Sequence, residues 1–125
     1  MADRSARPGS DSSARRALGL SGEDMAAAWY EANGFEVLAR NWRCREGELD
    51  LIVRDGRMYV FCEVKARTSD AFGVAAEAVT HDKQQRLRRL AARWLESDAP
   101  ALAREIRFDV AAVTDGRLEV LEGAF

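Results

Sequence analysis

Two stretches of alternating side-chain character mark the middle of the chain. Leu49, Leu51 and Val53 alternate with Glu48, Asp50 and Ile52, and Met58, Val60, Cys62 and Val64 alternate with Tyr59, Phe61, Glu63 and Lys65. Side chains of a strand point to opposite faces in turn, so each stretch predicts a strand with an apolar line and a charge-bearing line. Asp55-Gly56 joins them, and this dipeptide is a strong hairpin signal because a type I′ turn needs positive φ at both central residues. With Asp55 and Gly56 central, Arg54 faces Arg57, Ile52 faces Tyr59, Asp50 faces Phe61 and Glu48 faces Glu63. Asp50 and Glu63 then share one face as diagonal neighbours, about 7 to 8 Å apart at the backbone. Lys65 projects from the same face two residues on. A three-residue turn or a bulge would instead shift the register by one and rotate the faces.

The remaining elements follow from caps and periodicity. Ser21 is a helix N-cap with Asp24 at the third helical position, a variant capping box, and Asn33-Gly34 ends the helix. Met25 to Tyr30 is apolar around most of that helix, which predicts burial. Phe35 to Arg40 reads as a short strand, Asn41 to Gly47 as a polar loop. After Lys65 come a loop with Ser69, Asp70 and Gly73 and a short apolar segment to Val79. Thr80 caps a helix from His81 to Ser97, with Leu87, Leu90, Ala91, Trp94 and Leu95 at the spacing of a buried stripe. Ile106 to Thr114 is a strand, turned by Asp115-Gly116 into Arg117 to Leu121. The order is helix, three strands, helix, two strands. A crossover helix between strands predicts a parallel pair inside a mixed five-stranded sheet.

Composition narrows the class. The 125 residues suit one domain, with 47% hydrophobic and 32% charged, an ordinary globular balance. Residues 1–20 hold almost no large apolar side chain and read as a disordered tail, leaving 21–125 as the domain. No run reaches the roughly 18 apolar residues of a membrane span, and no signal-peptide core opens the chain, so a cytoplasmic location is expected. Cys44 and Cys62 lack the spacing of a structural zinc site. Cys62 reads as a small core residue. The net charge of −2 argues against coating nucleic acid by bulk electrostatics, yet Arg40, Arg43 and Arg45 cluster, as do Arg86, Arg88, Arg89 and Arg93. Local patches of this kind can steer a polyanion.

Three charges inside two apolar strands fit one chemistry well. Two carboxylates offer hard oxygen donors to magnesium or manganese and leave positions for water and a phosphate oxygen. A bound divalent ion lowers the pKa of that water and offsets charge building on phosphorus. Lys65 would orient or deprotonate the water, or stabilise the transition state. Glu48 either binds a second ion or faces solvent. Lys83 either aims inward or snorkels, and Arg86, Arg89 and Arg93 are either a solvated flank or phosphate contacts. Trp29 and Trp94 sit at core spacing, whereas Trp42, between Asn41 and Arg43, is the aromatic suited to stacking on a base.

The wider strings resemble a known pattern. Glu23, Asp50 within Gly47-Glu48-Leu49-Asp50-Leu51-Ile52, and Glu63-Val64-Lys65 resemble the core of the PD-(D/E)xK nuclease superfamily, the restriction-endonuclease-like fold that includes Holliday-junction resolvases. Gly22-Glu23, Ala39-Arg40-Asn41-Trp42-Arg43, Phe61-Cys62-Glu63-Val64-Lys65, Phe72-Gly73, Glu77-Ala78-Val79, Lys83 and Arg107-Phe108-Asp109-Val110 are similar to the YraN-like family of small bacterial proteins. Leu49 stands where the proline of the superfamily's name would be. The resemblance implies an α/β, three-layer core with helices flanking the sheet. It implies Asp50, Glu63 and the Val64 carbonyl as metal ligands, Lys65 as catalytic lysine and Glu23 as a helix-borne supporting acid. It further implies a Mg²⁺- or Mn²⁺-dependent nuclease acting on structured or damaged DNA. Arg40, Asn41, Trp42, Arg43, Arg67, Lys83 and Arg86 are the candidate nucleic-acid contacts.

Two alternatives from other classes stand beside it. One is a nucleic-acid-binding or adaptor module that keeps the fold without cleavage, since fold alone does not set activity. The other is a solvated strand face carrying two acids and a compensating lysine. Small size and modest charge favour reliance on a homodimer or a protein partner, and RNA is an alternative substrate.

Overall fold

The architecture comes from a computed structural model that describes residues 21–67 and 79–125. Helix α1 spans Gly22–Ala32, strands β1 to β3 span Glu36–Cys44, Gly47–Asp55 and Met58–Arg67, helix α2 spans His81–Ser97, and β4 and β5 span Glu105–Thr114 and Arg117–Leu121. The strands form one five-stranded sheet in the order β1-β2-β3-β4-β5, with β3 and β4 parallel and the other pairs antiparallel. This is the mixed sheet and element order that the sequence predicts. The expected tail and the segment between Lys65 and Val79 fall mostly outside the described residues.

The helices lie on opposite faces of the sheet because alternate strand residues are apolar on both. Ala26, Ala27 and Tyr30 of α1 pack with Leu51, Val53, Val60, Cys62 and Ala111. On the other side Leu87, Leu90, Ala91 and Trp94 of α2 pack with Tyr59, Phe61, Phe108, Val110 and Ala112. Central strands covered on both faces carry near-continuous apolar runs, which β3 and β4 do. Both N-caps form as expected. Ser21 accepts from the Asp24 amide while Asp24 reaches back to the Ser21 amide, and Thr80 accepts from the Lys83 amide.

Two local expectations are corrected. The stretch Asn41 to Gly47 is not a loop, because β1 continues to Cys44 and pairs with β2 down to Cys44 opposite Gly47. The polar residues there tolerate a strand because β1 is an edge. Asn41 sits at φ 54°, and this kink separates Arg40, which reaches α1, from Trp42, which packs on the α2 side. The β2–β3 register also differs, with Asp55 opposite Met58 and Leu51 opposite Cys62. Gly56 and Arg57 are therefore the central turn residues, and Gly56 alone takes positive φ, 62°, the II′ pattern. This choice leaves positive φ to glycine, where it carries no Cβ penalty. At the second hairpin both Asp115 (φ 51°) and Gly116 (φ 76°) are left-handed, as the I′ rule anticipates.

Candidate functional site

The register change alters the distance between the two acids without moving either to another face. A shift of two residues preserves side-chain direction, and carrying the observed pairing one step beyond Leu51 and Cys62 brings Asp50 level with Glu63. The two carboxyls are close enough to hydrogen-bond when one is protonated. Together with Leu49, Phe61, Cys62, Leu87 and Phe108 they line a small hollow between the sheet and α2.

Each acid is held by a different partner. Asp50 Oδ2 accepts the Val64 amide at 2.9 Å, which ties the side chain of β2 to the backbone of β3. Glu63 is 6% exposed, and its Oε2 lies 3.2 Å from Lys83 Nζ and 3.9 Å from Lys65 Nζ. Lys83 therefore aims inward, resolving the two readings of that residue. Burial pushes the Asp50 carboxyl from 3.8 up to about 6; the Val64 amide opposes the rise, the Glu63 charge adds to it and Lys83 opposes it. Glu48 is turned to the edge, where it meets exposed Arg43 at 3.5 Å.

The structure does not bring every expected residue to this hollow. Glu23 accepts from Arg40 and from Asn41, both at 2.9 Å, so these three bind one another where α1 meets the β1 edge. Arg40 also pairs with Asp24. Trp42 packs against the α2-side core. Arg67 ends β3 opposite Thr114, and Arg86 stands exposed on α2 one turn beyond Lys83. Among the described residues, no three His, Cys, Asp or Glu side chains gather as a ready metal cluster.

One polar centre escaped the sequence reading. Asp109 is 0% exposed, yet it accepts from the Tyr30 hydroxyl, from Arg107 Nε and Nη2 at 2.9 and 3.0 Å, and from the Gly123 amide at 2.9 Å. A buried carboxylate survives only with such partners. Its signal was an Asp inside the apolar run Phe108 to Ala112. Nearby Cys62, which burial pushes up to about 12, is the buried core residue expected.

An α/β protein with a mixed sheet, helices on both faces and an acid pair, Glu63 buried and Asp50 half-buried, under two lysines is the class that fold and site define. The chain belongs to the uncharacterised protein family UPF0102, whose family model matches residues 22–113. It is 59% identical over 100 residues to a UPF0102 protein of Beutenbergia cavernae, covering 80% of this chain and 84% of that one. Similarity is comparable to the UPF0102 protein of Frankia casuarinae, 53% identical over 117 residues with 90% and 98% covered. The Frankia alni protein is 52% identical over 117 residues, with 90% and 97% covered. Among the described residues no helix is long and apolar enough to cross a membrane.

Proposed function

We propose that this chain is a metal-dependent nuclease of the PD-(D/E)xK type, hydrolysing phosphodiester bonds in structured or damaged DNA. The observation that carries the reading is the pairing of Asp50 and Glu63 on adjacent strands, with Lys65 and Lys83 both directed at Glu63. The donor set suits Mg²⁺ or Mn²⁺, because both side chains offer hard oxygen, and Asp50, raised by burial and further by the Glu63 charge, would gain from a cation beside it. Asp50, Glu63 and the Val64 carbonyl would hold the ion. When bound, it would supply a water of lowered pKa and neutralise charge on the phosphoryl oxygens.

The protein's own groups divide the remaining work. Asp50 accepts the Val64 amide with one oxygen and has the other to offer a metal ion. Lys83, at 3.2 Å, fixes the Glu63 carboxylate in place. Lys65, at the looser 3.9 Å, is the ammonium left to face a phosphate or the attacking water. Glu23 acts from a distance by holding the Arg40 and Asn41 side chains. A homodimer or protein partner would add surface to grip a duplex.

One observation favours a second reading, an adaptor that keeps the fold without cleavage: Lys83 already balances the charge of Glu63. The test is cleavage of branched, single-stranded and duplex DNA and of RNA with Mg²⁺, Mn²⁺ or EDTA. The expected result is metal-dependent cutting lost in Asp50→Ala, Glu63→Ala and Lys65→Ala. Cutting that survives all three substitutions sinks the site, and metal-independent binding with no cutting by the wild type selects the adaptor.

A further inference from the structure

Beyond Lys83, the exposed side of α2 carries Arg86, Arg89 and Arg93, which with Glu46 and Leu90 line an open hollow of about 370 Å³. Several features distinguish it from an ordinary solvated helix flank. Among the described residues neither Arg86 nor Arg89 has a hydrogen-bond or ion-pair partner. The wall opposite is the β1–β2 turn, and a Cβ on Gly47 would come within 3.3 Å of Leu90 Cδ1 and 3.7 Å of Arg86 Cδ. Glycine there lets the strand that bears Asp50 lie close against the arginine stems. The hollow thus begins where the acid pair ends, since Lys83 touches Glu63 and Arg86 follows one turn later.

Among the described residues Glu46 is the one acid lining the hollow. It is tied to Arg93 Nη1 at 2.8 Å and to Cys44 Sγ at 3.2 Å, which keeps an anion against a guanidinium that would otherwise be free. The hydrogen bond from the Cys44 thiol, and the Arg93 guanidinium beside it, hold its carboxyl below the usual range. Arg88, on the same helix, is used differently: its guanidinium lies 5.0 Å from the Phe108 ring and 5.6 Å from the Phe125 ring.

From this arrangement we infer that Arg86, Arg89 and Arg93 form a track for the phosphates of one nucleic-acid strand leading to the acid pair. Glu46 is a resident counter-ion that the strand displaces from Arg93. The inference rests on the nuclease-type reading of the acid pair for where the track leads, but not for its binding. Arg86 to Arg93 covers about 10 Å of helix, so with the reach of their long side chains the three guanidinium groups can meet successive phosphates of one strand. Guanidinium groups suit this role because their planar fork bonds phosphate oxygens two at a time. A displaced Glu46 also gives selectivity, because a single small anion gains less by breaking the Arg93 pair than a strand that reaches all three arginines.

Salt dependence of binding reads the track directly, since each phosphate neutralised on a single strand contributes about 0.7 to the slope of log K against log salt. The probe is a fluorescein-labelled single-stranded oligonucleotide, titrated with the full chain in EDTA at several salt concentrations and followed by anisotropy. Arg86→Gln and Arg89→Gln should each lower the magnitude of the slope by about 0.7, Glu46→Gln should give a few-fold gain in affinity with little change in slope, because the strand already reaches Arg93 in the wild type, and Arg88→Gln should leave both unchanged. Circular dichroism of each variant separates lost contacts from lost fold. Unchanged slopes in Arg86→Gln and Arg89→Gln, an equal loss in Arg88→Gln, or no binding by the wild type each overturns the track. Cleavage with unchanged slopes would reject the track and keep the nuclease, whereas the expected slopes without cleavage would do the reverse.

Discussion

Replacing Asp50 with Asn removes a charge that the fold holds against its preference. The carboxyl rises from 3.8 to about 6 in the folded protein, with burial as the first cause and the Val64 amide, Glu63 and Lys83 following. At about 1.36 kcal/mol for each pH unit, that difference corresponds to about 3 kcal/mol before screening. Asp50 keeps partial contact with solvent, so the realised value falls to the order of 1–2 kcal/mol. The sign follows from proton binding. Between 3.8 and about 6 the folded state binds the proton more tightly than the unfolded state, so this group's contribution to stability is greatest at low pH and is lost as pH rises through 6. Asn is isosteric, still accepts from Val64 and has nothing to deprotonate. In urea denaturation monitored by tryptophan fluorescence without divalent ions, Asp50→Asn should therefore match the wild type near pH 3.5 and exceed it by about 1–2 kcal/mol at pH 8. Adding Mg²⁺ at pH 8 should stabilise the wild type and not the variant, because a ligand stabilises only the state that binds it. A variant that is less stable at pH 8, or a difference that does not change with pH, would refute the reasoning.

Two further outcomes follow from the buried groups. Tyr30→Phe removes a hydroxyl that donates to fully buried Asp109 and should cost about 1.5–3 kcal/mol in urea denaturation, with little effect on the acid pair across the sheet; a loss below about 0.5 kcal/mol would mean that Arg107 and the Gly123 amide satisfy Asp109 alone. Cys44 is partly exposed and Cys62 buried, and burial pushes the Cys62 thiol up to about 12. A disulfide reagent at pH 8 should thus modify one thiol in the native protein and two in urea, and rapid modification of Cys62 under native conditions would contradict its placement.

Elements with a strong local signal were legible in the chain. Ser21 with Asp24 and Thr80 fixed where the helices start, because unsatisfied amides at a helix end need a nearby acceptor and few side chains supply one. The spacing of Leu87, Leu90, Ala91 and Trp94 gave the buried face of α2, and alternation put Asp50 and Glu63 on one face of their strands. That shared face is insensitive to a register error of two residues, which explains why it held although the turn did not. The turn itself was read one residue too early, because Asp-Gly satisfies both I′ and, with glycine first, II′ geometry. The end of β1 was missed because polar residues on an edge strand look like a loop until a partner strand is known.

The sequence by itself determined the elements, their order and the common face of the acid pair, since these follow from periods and caps spanning a few residues. The three-dimensional arrangement decided what each charge touches. Lys83 meets Glu63 across the space between helix and sheet, Glu23 is taken up by Arg40 and Asn41, and Asp109 is neutralised by residues from α1, β4 and the chain's end. Such partnerships join positions far apart in the chain, and a charge in an amino-acid sequence carries no mark of the partner that will balance it. The physical reason is that pairing is fixed by distance and desolvation, which exist only once the helices are packed on the two faces of the sheet.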